Sequence, residues 1–251
     1  MLHTVITDPV PAAPPLLIAH GLFGSARNWG AVAKRLSADR QVITVDMRNH
    51  GDSPWNDAHD YPEMAADLAE VIAAHGGRAD VLGHSMGGKA AMALALTHPE
   101  AVNRLIVADI APVAYGHSQA PMIDAMRAVD LSGVEKRSDA DTQLARWVAE
   151  PPVRAFLLQS LDLRARRWRL NLDVLEAEMD KIIGWPAIEG RFDGPALFLS
   201  GAESDYVRPA HRDSIKALFP NARFAKIPGA GHWLHAEKPR EFEAAVSAFL
   251  S

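Results

Sequence analysis

The stretch Asp80-Val-Leu-Gly-His-Ser-Met-Gly-Gly88 decides the fold that the sequence predicts. It begins as an apolar strand, passes through a G-x-S-x-G turn and continues as a helix from Met86. In such a turn the serine has a strained backbone conformation, and the glycines two residues before and after it leave room for the turn. The N-terminus of the following helix points toward the serine hydroxyl. We therefore predict that Ser85 is a nucleophile exposed above a sheet.

The same residues approach a second template, the phosphate-binding P-loop. Gly83 and Gly88-Lys89 have its spacing between a strand and a helix, and Leu105–Asp109 resembles the apolar strand whose aspartate helps to hold magnesium. The next residue is Ala90, which lacks the hydroxyl that ligates the metal. A P-loop nucleotide binder therefore remains a remote alternative.

Apolar runs of strand length alternate with helical patterns along much of the chain, which predicts βα units and a mostly parallel central sheet flanked by helices. Several of these runs are apolar on both faces, as expected when helices cover both sides of the sheet. The predicted strands are Leu16–Ala19, Gln41–Val45, Ala79–Leu82, Arg104–Ala108, Ala196–Leu199 and Arg223–Ile227. The predicted helices are Trp29–Leu36, Met64–His75, Met86–Thr97, Pro209–Leu218 and Glu237–Leu250.

The alternation stops from about Pro112 to Pro195, where we predict helices and no strand. We interpret residues 112–194 as a helical cap inserted into an α/β core formed by residues 1–111 and 195–251. The basic stretch Arg164–Arg169 is predicted to be the solvated side of a helix. The helical patterns in the cap are Met122–Val129, Asp139–Ala149 and Leu172–Ile183. The candidates for an apolar acyl pocket are Phe23, Met122, Met126, Trp147, Phe156, Leu157, Trp168 and Trp185.

A serine hydroxyl needs a positioned base, and the chain has 11 histidines from which to choose. Gly229-Ala-Gly-His-Trp233 follows the last predicted strand, and its small residues let the loop approach the serine turn closely. In folds that carry such a serine turn, the histidine comes after the serine and the acid in chain order. We therefore predict His232 as the base and His235 as a structural residue.

The first predicted sheet strand ends in His20-Gly-Leu-Phe-Gly-Ser25. This turn should supply one of the two backbone amides that stabilise the oxyanion of acyl transfer. We predict Leu22 and Met86 as the two donors, with Phe23 as a replacement for Leu22. His20 is predicted to hydrogen-bond within the loop.

The choice of acid rests on two aspartates that end strands. In the common pattern for a serine–histidine–acid triad, the acid comes three residues after a glycine at the end of a late strand. Counted from Gly201, that position is Ser204. Asp205 lies one step further, and a shift of one residue re-aims a side chain. We therefore prefer Asp109, which follows the strand after the nucleophile helix. Ser204 is predicted as a second partner of His232, and Asp205 stays as the alternative acid.

Composition restricts the partners and cofactors. The net charge of 26 − 31 = −5 comes without a long run of one sign, so we expect no nucleic-acid partner. The absence of cysteine excludes disulfides and thiolate metal sites, and we expect neither metal nor cofactor. No apolar run reaches the roughly 18 residues of a membrane span, and Met1–Pro9 does not resemble a secretory signal. We expect a cytoplasmic monomer or homodimer.

Five motifs together resemble the α/β-hydrolase superfamily and, more narrowly, its small carboxylesterases related to the abhydrolase-domain proteins. These motifs are His20-Gly-Leu-Phe-Gly-Ser25, Asp46-Met-Arg-Asn-His-Gly-Asp-Ser53, Gly83-His-Ser-Met-Gly-Gly-Lys89, Asp109-Ile-Ala-Pro112 and Gly229-Ala-Gly-His-Trp233. The resemblance spans almost the whole chain. It implies an α/β-hydrolase fold and hydrolysis of small-molecule esters or thioesters, of short to medium chain length, without a cofactor. It also implies that the acid can follow the strand after the nucleophile helix, which agrees with Asp109.

Two further groups in these motifs are predicted to have structural roles. Asp46, Arg48, Asn49 and His50 should brace the loop beside the oxyanion hole, and Lys89 should make a surface or cap contact. Carbon–carbon bond hydrolases, lactonases and perhydrolases share the triad, and a non-catalytic binding module on this fold is the alternative from another class.

Overall fold

A seven-stranded sheet forms the centre of the computed structural model, which describes residues 1–8 and 13–251. The strands in this part of the chain are β1 (Thr4–Ile6), β2 (Leu16–Ala19), β3 (Val42–Val45), β4 (Ala79–His84), β5 (Val102–Ala108), β6 (Leu161–Asp162), β7 (Arg167–Trp168), β8 (Ala196–Gly201) and β9 (Ala222–Ile227). The sheet has the order β1-β3-β2-β4-β5-β8-β9, and only its edge strand β1 is antiparallel to its neighbour. The predicted fold class is confirmed.

Each of the six predicted strands is present within two residues of its predicted bounds. The edge strand β1 was not predicted, because its three residues are too short and too exposed to show an alternating pattern. Pro9, the last residue of the stretch Met1–Pro9 that was compared with a secretory signal, lies outside the described residues.

Helices cover both faces of the sheet. They are α1 (Gly30–Leu36), α2 (Tyr61–Ala74), α3 (Met86–Thr97), α4 (Ala120–Arg127), α5 (Arg137–Leu144), α6 (Pro151–Leu157), α7 (Leu172–Ala177), α8 (Met179–Ile183), α9 (Arg212–Leu218), α10 (Leu234–Glu237) and α11 (Pro239–Leu250). Successive strand residues point to opposite faces. In β2, Leu17 packs in the core with α2 and α3, whereas Leu16 packs in a second core with α1 and α11. None of the helices in residues 1–8 and 13–251 is long and apolar enough to cross a membrane.

Local capping explains where two helices depart from the prediction. Helix α2 begins three residues before the predicted Met64, because the Asp60 carboxylate accepts a hydrogen bond from the Glu63 amide and Pro62 occupies the first turn. The predicted C-terminal helix begins two residues late, as α11 at Pro239, because proline favours the first turn of a helix, and Glu237 instead ends α10.

The segment between β5 and β8 holds α4 to α8 and, in addition, a two-stranded hairpin of β6 and β7. The prediction of no strand here was wrong, and so was the helical interpretation of Arg164–Arg169. The Asp162 carboxylate accepts a hydrogen bond from the Ala165 amide at 3.0 Å, and Arg166 has a positive φ of 49°. This turn chemistry makes a hairpin instead of a helix. The boundaries of the cap at residues 112 and 194 stay a prediction.

Candidate active site

Ser85 forms the sharp turn between β4 and α3. Its φ of 52° and ψ of −120° are unusual for a residue with a side chain. The Ser85 amide donates to the Ala108 carbonyl at 3.0 Å, which ties the turn to β5. A side chain on Gly83 would meet the backbone of Gly87, and one on Gly87 would meet the backbone at the end of β2. The turn therefore requires both glycines and presents the serine at the carboxyl edge of the sheet.

Asp109 and His232 meet beside this turn. His232 Nδ1 lies 2.7 Å from Asp109 Oδ2, and the aspartate is fully buried. The carboxylate also accepts hydrogen bonds from the Gly201 amide at 3.0 Å and the Ser204 hydroxyl at 2.5 Å. These three contacts hold the carboxylate and orient the imidazole. Since Nδ1 is occupied, Nε2 is the nitrogen left to accept a proton.

Two residues that were not singled out as site residues also hold His232. His84 Nε2 donates to the His232 carbonyl at 2.9 Å, and the Tyr206 ring stacks on the imidazole with centroids 4.0 Å apart. Burial, together with the neighbouring His235 and His232, lowers the pKa of His84 well below its ordinary value. His84 occupies a variable position of the G-x-S-x-G motif, so the motif carries no signal for this contact.

Ser85 and His232 line one cavity of about 340 Å³, together with both predicted amide donors, Leu22 and Met86. In the described part of the chain, neither of these two amides donates to a protein acceptor. The Phe23 amide cannot replace Leu22, because it donates to His50 Nε2 at 3.1 Å. That alternative was wrong.

Four of the eight predicted pocket residues line this cavity, namely Phe23, Met122, Phe156 and Leu157. Met126 is buried in α4 and does not line it, so that assignment was wrong. The structure adds lining residues that were not named as pocket candidates, from both the core and the cap. They include Tyr61, Tyr115, Val153, Ile182, Tyr206 and Trp233. Trp233 directly follows His232 in the chain. This adjacency to the predicted base is the sequence signal that Trp233 lies at the cavity.

The three predicted pocket tryptophans lie elsewhere, so these assignments were wrong. The Trp147 side chain is 63% exposed. Trp168 belongs to β7 of the cap hairpin and is buried, and its indole N–H donates to the Met126 carbonyl of α4 at 2.9 Å. Trp185 packs against Tyr61, with ring centroids 6.1 Å apart, and does not line the cavity. None of these three tryptophans lines the cavity.

The structure also decides between the predicted acids. Asp205 is exposed and pairs with Arg208 at 2.7 Å, so it does not reach His232. Ser204 bonds to the Asp109 carboxylate, not to His232 as predicted. Asp109 is therefore the acid that contacts the histidine.

Of the predicted surface or cap contact, Lys89 makes the cap contact, and it is buried. Its ammonium donates to the Ile183 carbonyl at 2.9 Å and to the Gly184 carbonyl at 2.5 Å, and it lies over the rings of Tyr61 and Tyr115. Burial lowers its pKa to about 7. Because the side chain points to the cap, it does not serve a phosphate at the Gly83 loop, and this argues against the P-loop alternative.

Two of the four residues predicted to brace the neighbouring loop, Asp46 and His50, contact it. Arg48 pairs instead with Asp67 of α2, and Asn49 accepts a bond from the Asn56 amide. Asp46 accepts hydrogen bonds from the Ala26 amide at 2.8 Å and the Asp52 amide at 2.9 Å. Asp46, Asp52 and His3 bring three potential metal-ligand atoms within 4.8 Å of one another. Arg169 pairs with Asp52 at 2.9 Å, so these groups already serve protein contacts, and we assign them no metal.

Comparison with known proteins agrees with this architecture. A family profile described as alpha/beta hydrolase fold matches residues 14–239. The chain is 44% identical to the sn-1-specific diacylglycerol lipase ABHD11 of Mus musculus, covering 95% of this chain and 81% of that protein. It is 41% identical to the esterase YbfF of Escherichia coli, covering 94% and 93%. A solved structure of a marine microorganism esterase has a TM-score of 0.93 and 38% identity over the full length of both chains. The chain belongs to the α/β-hydrolase family.

Proposed function

We propose that this protein is a serine carboxylesterase that hydrolyses short- to medium-chain esters or thioesters. The observation that carries the proposal is the buried Asp109–His232 pair, 2.7 Å apart, on the same cavity as the strained Ser85 turn. The cavity of about 340 Å³ is mostly apolar and lies at the small end of the roughly 300–1,000 Å³ typical of ligand sites. Both properties suit a modest acyl group.

The proposed reaction has two acyl-transfer steps. His232 Nε2 takes the proton of the Ser85 hydroxyl while the serine oxygen attacks the ester carbonyl, and Asp109 stabilises the resulting imidazolium. The Leu22 and Met86 amides stabilise the oxyanion. His232 then gives its proton to the leaving alcohol or thiol. Water adds to the acyl-enzyme by the same route, which releases the carboxylic acid and restores Ser85.

Similarity to proteins that are named lipase and esterase supports ester hydrolysis over the alternatives. The intact set of serine, histidine and acid argues against a non-catalytic binding module. Carbon–carbon bond hydrolysis, lactonase and perhydrolase activity use the same three groups and differ in the substrate. The cytoplasmic location and the monomeric or homodimeric state stay predictions.

The test is hydrolysis of p-nitrophenyl esters, from acetate to dodecanoate, by the wild type and by Ser85→Ala. We expect Ser85→Ala to lose turnover on every ester and to unfold at the same temperature as the wild type. Ser247→Ala, which changes an exposed serine of α11, is the matched control and should behave as the wild type. Undiminished esterase activity in Ser85→Ala would refute the proposal.

A fluorophosphonate probe separates the remaining classes. Labelling of the wild type but not of Ser85→Ala, without release from any ester, would favour a carbon–carbon bond hydrolase. Absence of labelling in both proteins would favour a binding module.

A further inference from the structure

The loop that carries the proposed oxyanion donor Leu22 is held from the cap. The Ser160 hydroxyl, at the start of the cap hairpin, donates to the Phe23 carbonyl at 2.8 Å. Both residues are buried, and they are 137 positions apart in the chain. A cap that only covered the substrate would not need a hydrogen bond to this backbone.

His50 holds the amide of Phe23, whose carbonyl is held by Ser160. The Phe23 amide donates to His50 Nε2 at 3.1 Å, and His50 Nδ1 donates to the Arg48 carbonyl at 2.8 Å. Since a carbonyl can only accept, Nδ1 carries the proton and Nε2 keeps its lone pair. Complete burial beside His20 and His59 lowers the pKa of His50 well below its ordinary value, so the ring stays neutral.

The cap also holds His50 itself. His50 forms an antiparallel bridge with Leu170, which follows the hairpin. The bridge is flanked by a bond from the Gly51 amide to the Arg169 carbonyl at 2.8 Å and one from the Asn171 amide to the Asn49 carbonyl at 3.0 Å. The cap segment 160–171 therefore contacts the loop twice, directly through Ser160 and indirectly through His50.

The backbone of Phe23 needs this support. Its φ of 63° lies in the left-handed region, which a residue with a side chain adopts only when its surroundings hold it there. The Leu22 N–H belongs to the peptide that joins Gly21 to Leu22. The carbonyl of this peptide accepts a hydrogen bond from His20 Nδ1 at 2.7 Å. Three successive peptide groups are thus fixed, and the Leu22 N–H lies among them.

We propose that cap segment 160–171 is part of the oxyanion hole, with Ser160 and His50 as positioning residues that set the direction of the Leu22 amide. This inference rests on the proposed function. It assigns the cap a role in transition-state stabilisation, in addition to forming a wall of the substrate cavity. The role predicts an effect on kcat even for an ester too small to need the cap.

The test substrate is therefore p-nitrophenyl acetate. We expect Ser160→Ala to lower kcat about ten-fold, with KM within two-fold, because a displaced donor loses part of the roughly 10²–10³ that one oxyanion donor contributes. Ser160→Thr retains the hydroxyl and should recover most of the rate. Ser132→Ala is the control, since Ser132 is an exposed cap serine whose hydroxyl donates to nearby Asp130. Its bond from Arg166 is to the backbone carbonyl, which the substitution keeps.

A second readout separates positioning from general loosening. A trifluoromethyl ketone forms an oxyanion on Ser85, whereas the substrate ground state does not. We expect Ser160→Ala to bind this inhibitor about ten-fold more weakly, in parallel with the loss of kcat. If Ser160→Ala does not fold, Ser160→Cys gives the same test, because the thiol is close in size and a weak donor.

Wild-type kcat and inhibitor affinity in a folded Ser160→Ala would overturn the inference, and so would a loss confined to KM. If Ser85→Ala is inactive while Ser160→Ala is unimpaired, only the role of the cap is wrong. If Ser85→Ala keeps its activity, the proposed function fails and this inference fails with it.

Discussion

Replacement of Lys89 by methionine tests whether the buried ammonium that connects the core to the cap lowers the free energy of unfolding. The Lys89 side chain is 1% exposed and contacts two carbonyls and two tyrosine rings. Burial lowers its pKa from the ordinary 10.5 to about 7. The folded protein therefore releases this proton at lower pH than the unfolded chain does, and folding is penalised wherever the unfolded chain still holds the proton.

The sign and size of the effect follow from proton linkage. Between pH 7 and pH 10.5 the unfolded chain binds more protons at this group, so the free energy of unfolding rises with pH. The full penalty below pH 7 is about 5 kcal/mol at 1.36 kcal/mol per pKa unit. Between pH 6 and pH 9 the recovery amounts to about 2.5 kcal/mol.

The assay is urea unfolding at pH 6, 7, 8 and 9 for the wild type and Lys89→Met. We expect the free energy of unfolding of the wild type to rise by about 2.5 kcal/mol relative to the variant across this range. Lys216→Met is the control, because Lys216 also donates to two carbonyls, at 2.9 and 2.6 Å, but is exposed. A difference between wild type and Lys89→Met that is constant from pH 6 to pH 9 would refute the reasoning.

Two further predictions concern the catalytic cavity. Asp109→Asn should lower kcat on p-nitrophenyl butyrate about 10³–10⁴-fold, because the imidazolium loses its counter-charge. Asp205→Asn is the control and should leave kcat unchanged. Equal effects of the two changes would contradict the choice of acid. Met122→Ala should enlarge the acyl pocket and move the optimum of the ester series to longer chains, and Trp147→Ala, which changes a residue outside the cavity, should leave the optimum where it is. An unchanged optimum in Met122→Ala would remove this residue from the acyl site.

The α/β core could be read from local sequence, because its signals are local. The strand β2 is completely buried, so its residues form an apolar run that is visible without a structure. The Ser85 turn needs small residues at fixed positions, and these appear as a motif. The edge strand β1 has neither property, and it was missed.

The cap was harder to read because its structure depends on contacts between distant residues. The tryptophans of the cap show that a segment needs apolar packing, but not whether a given ring faces the cavity, the cap interior or the solvent. The hairpin of β6 and β7 depends on the turn at Arg166 and on its bridge to His50, more than 100 positions earlier in the chain.

The sequence by itself determined the fold class, the serine turn and the candidate base, since the spacing of a few residues is enough to specify them. Only the tertiary structure decided that Asp109 contacts His232, that Ser204 supports the acid, that Lys89 is buried and that Ser160 reaches the oxyanion loop. Each of these facts is a distance between side chains or backbone groups on different elements. Such distances depend on how strands and helices pack, and no local pattern of residues records them.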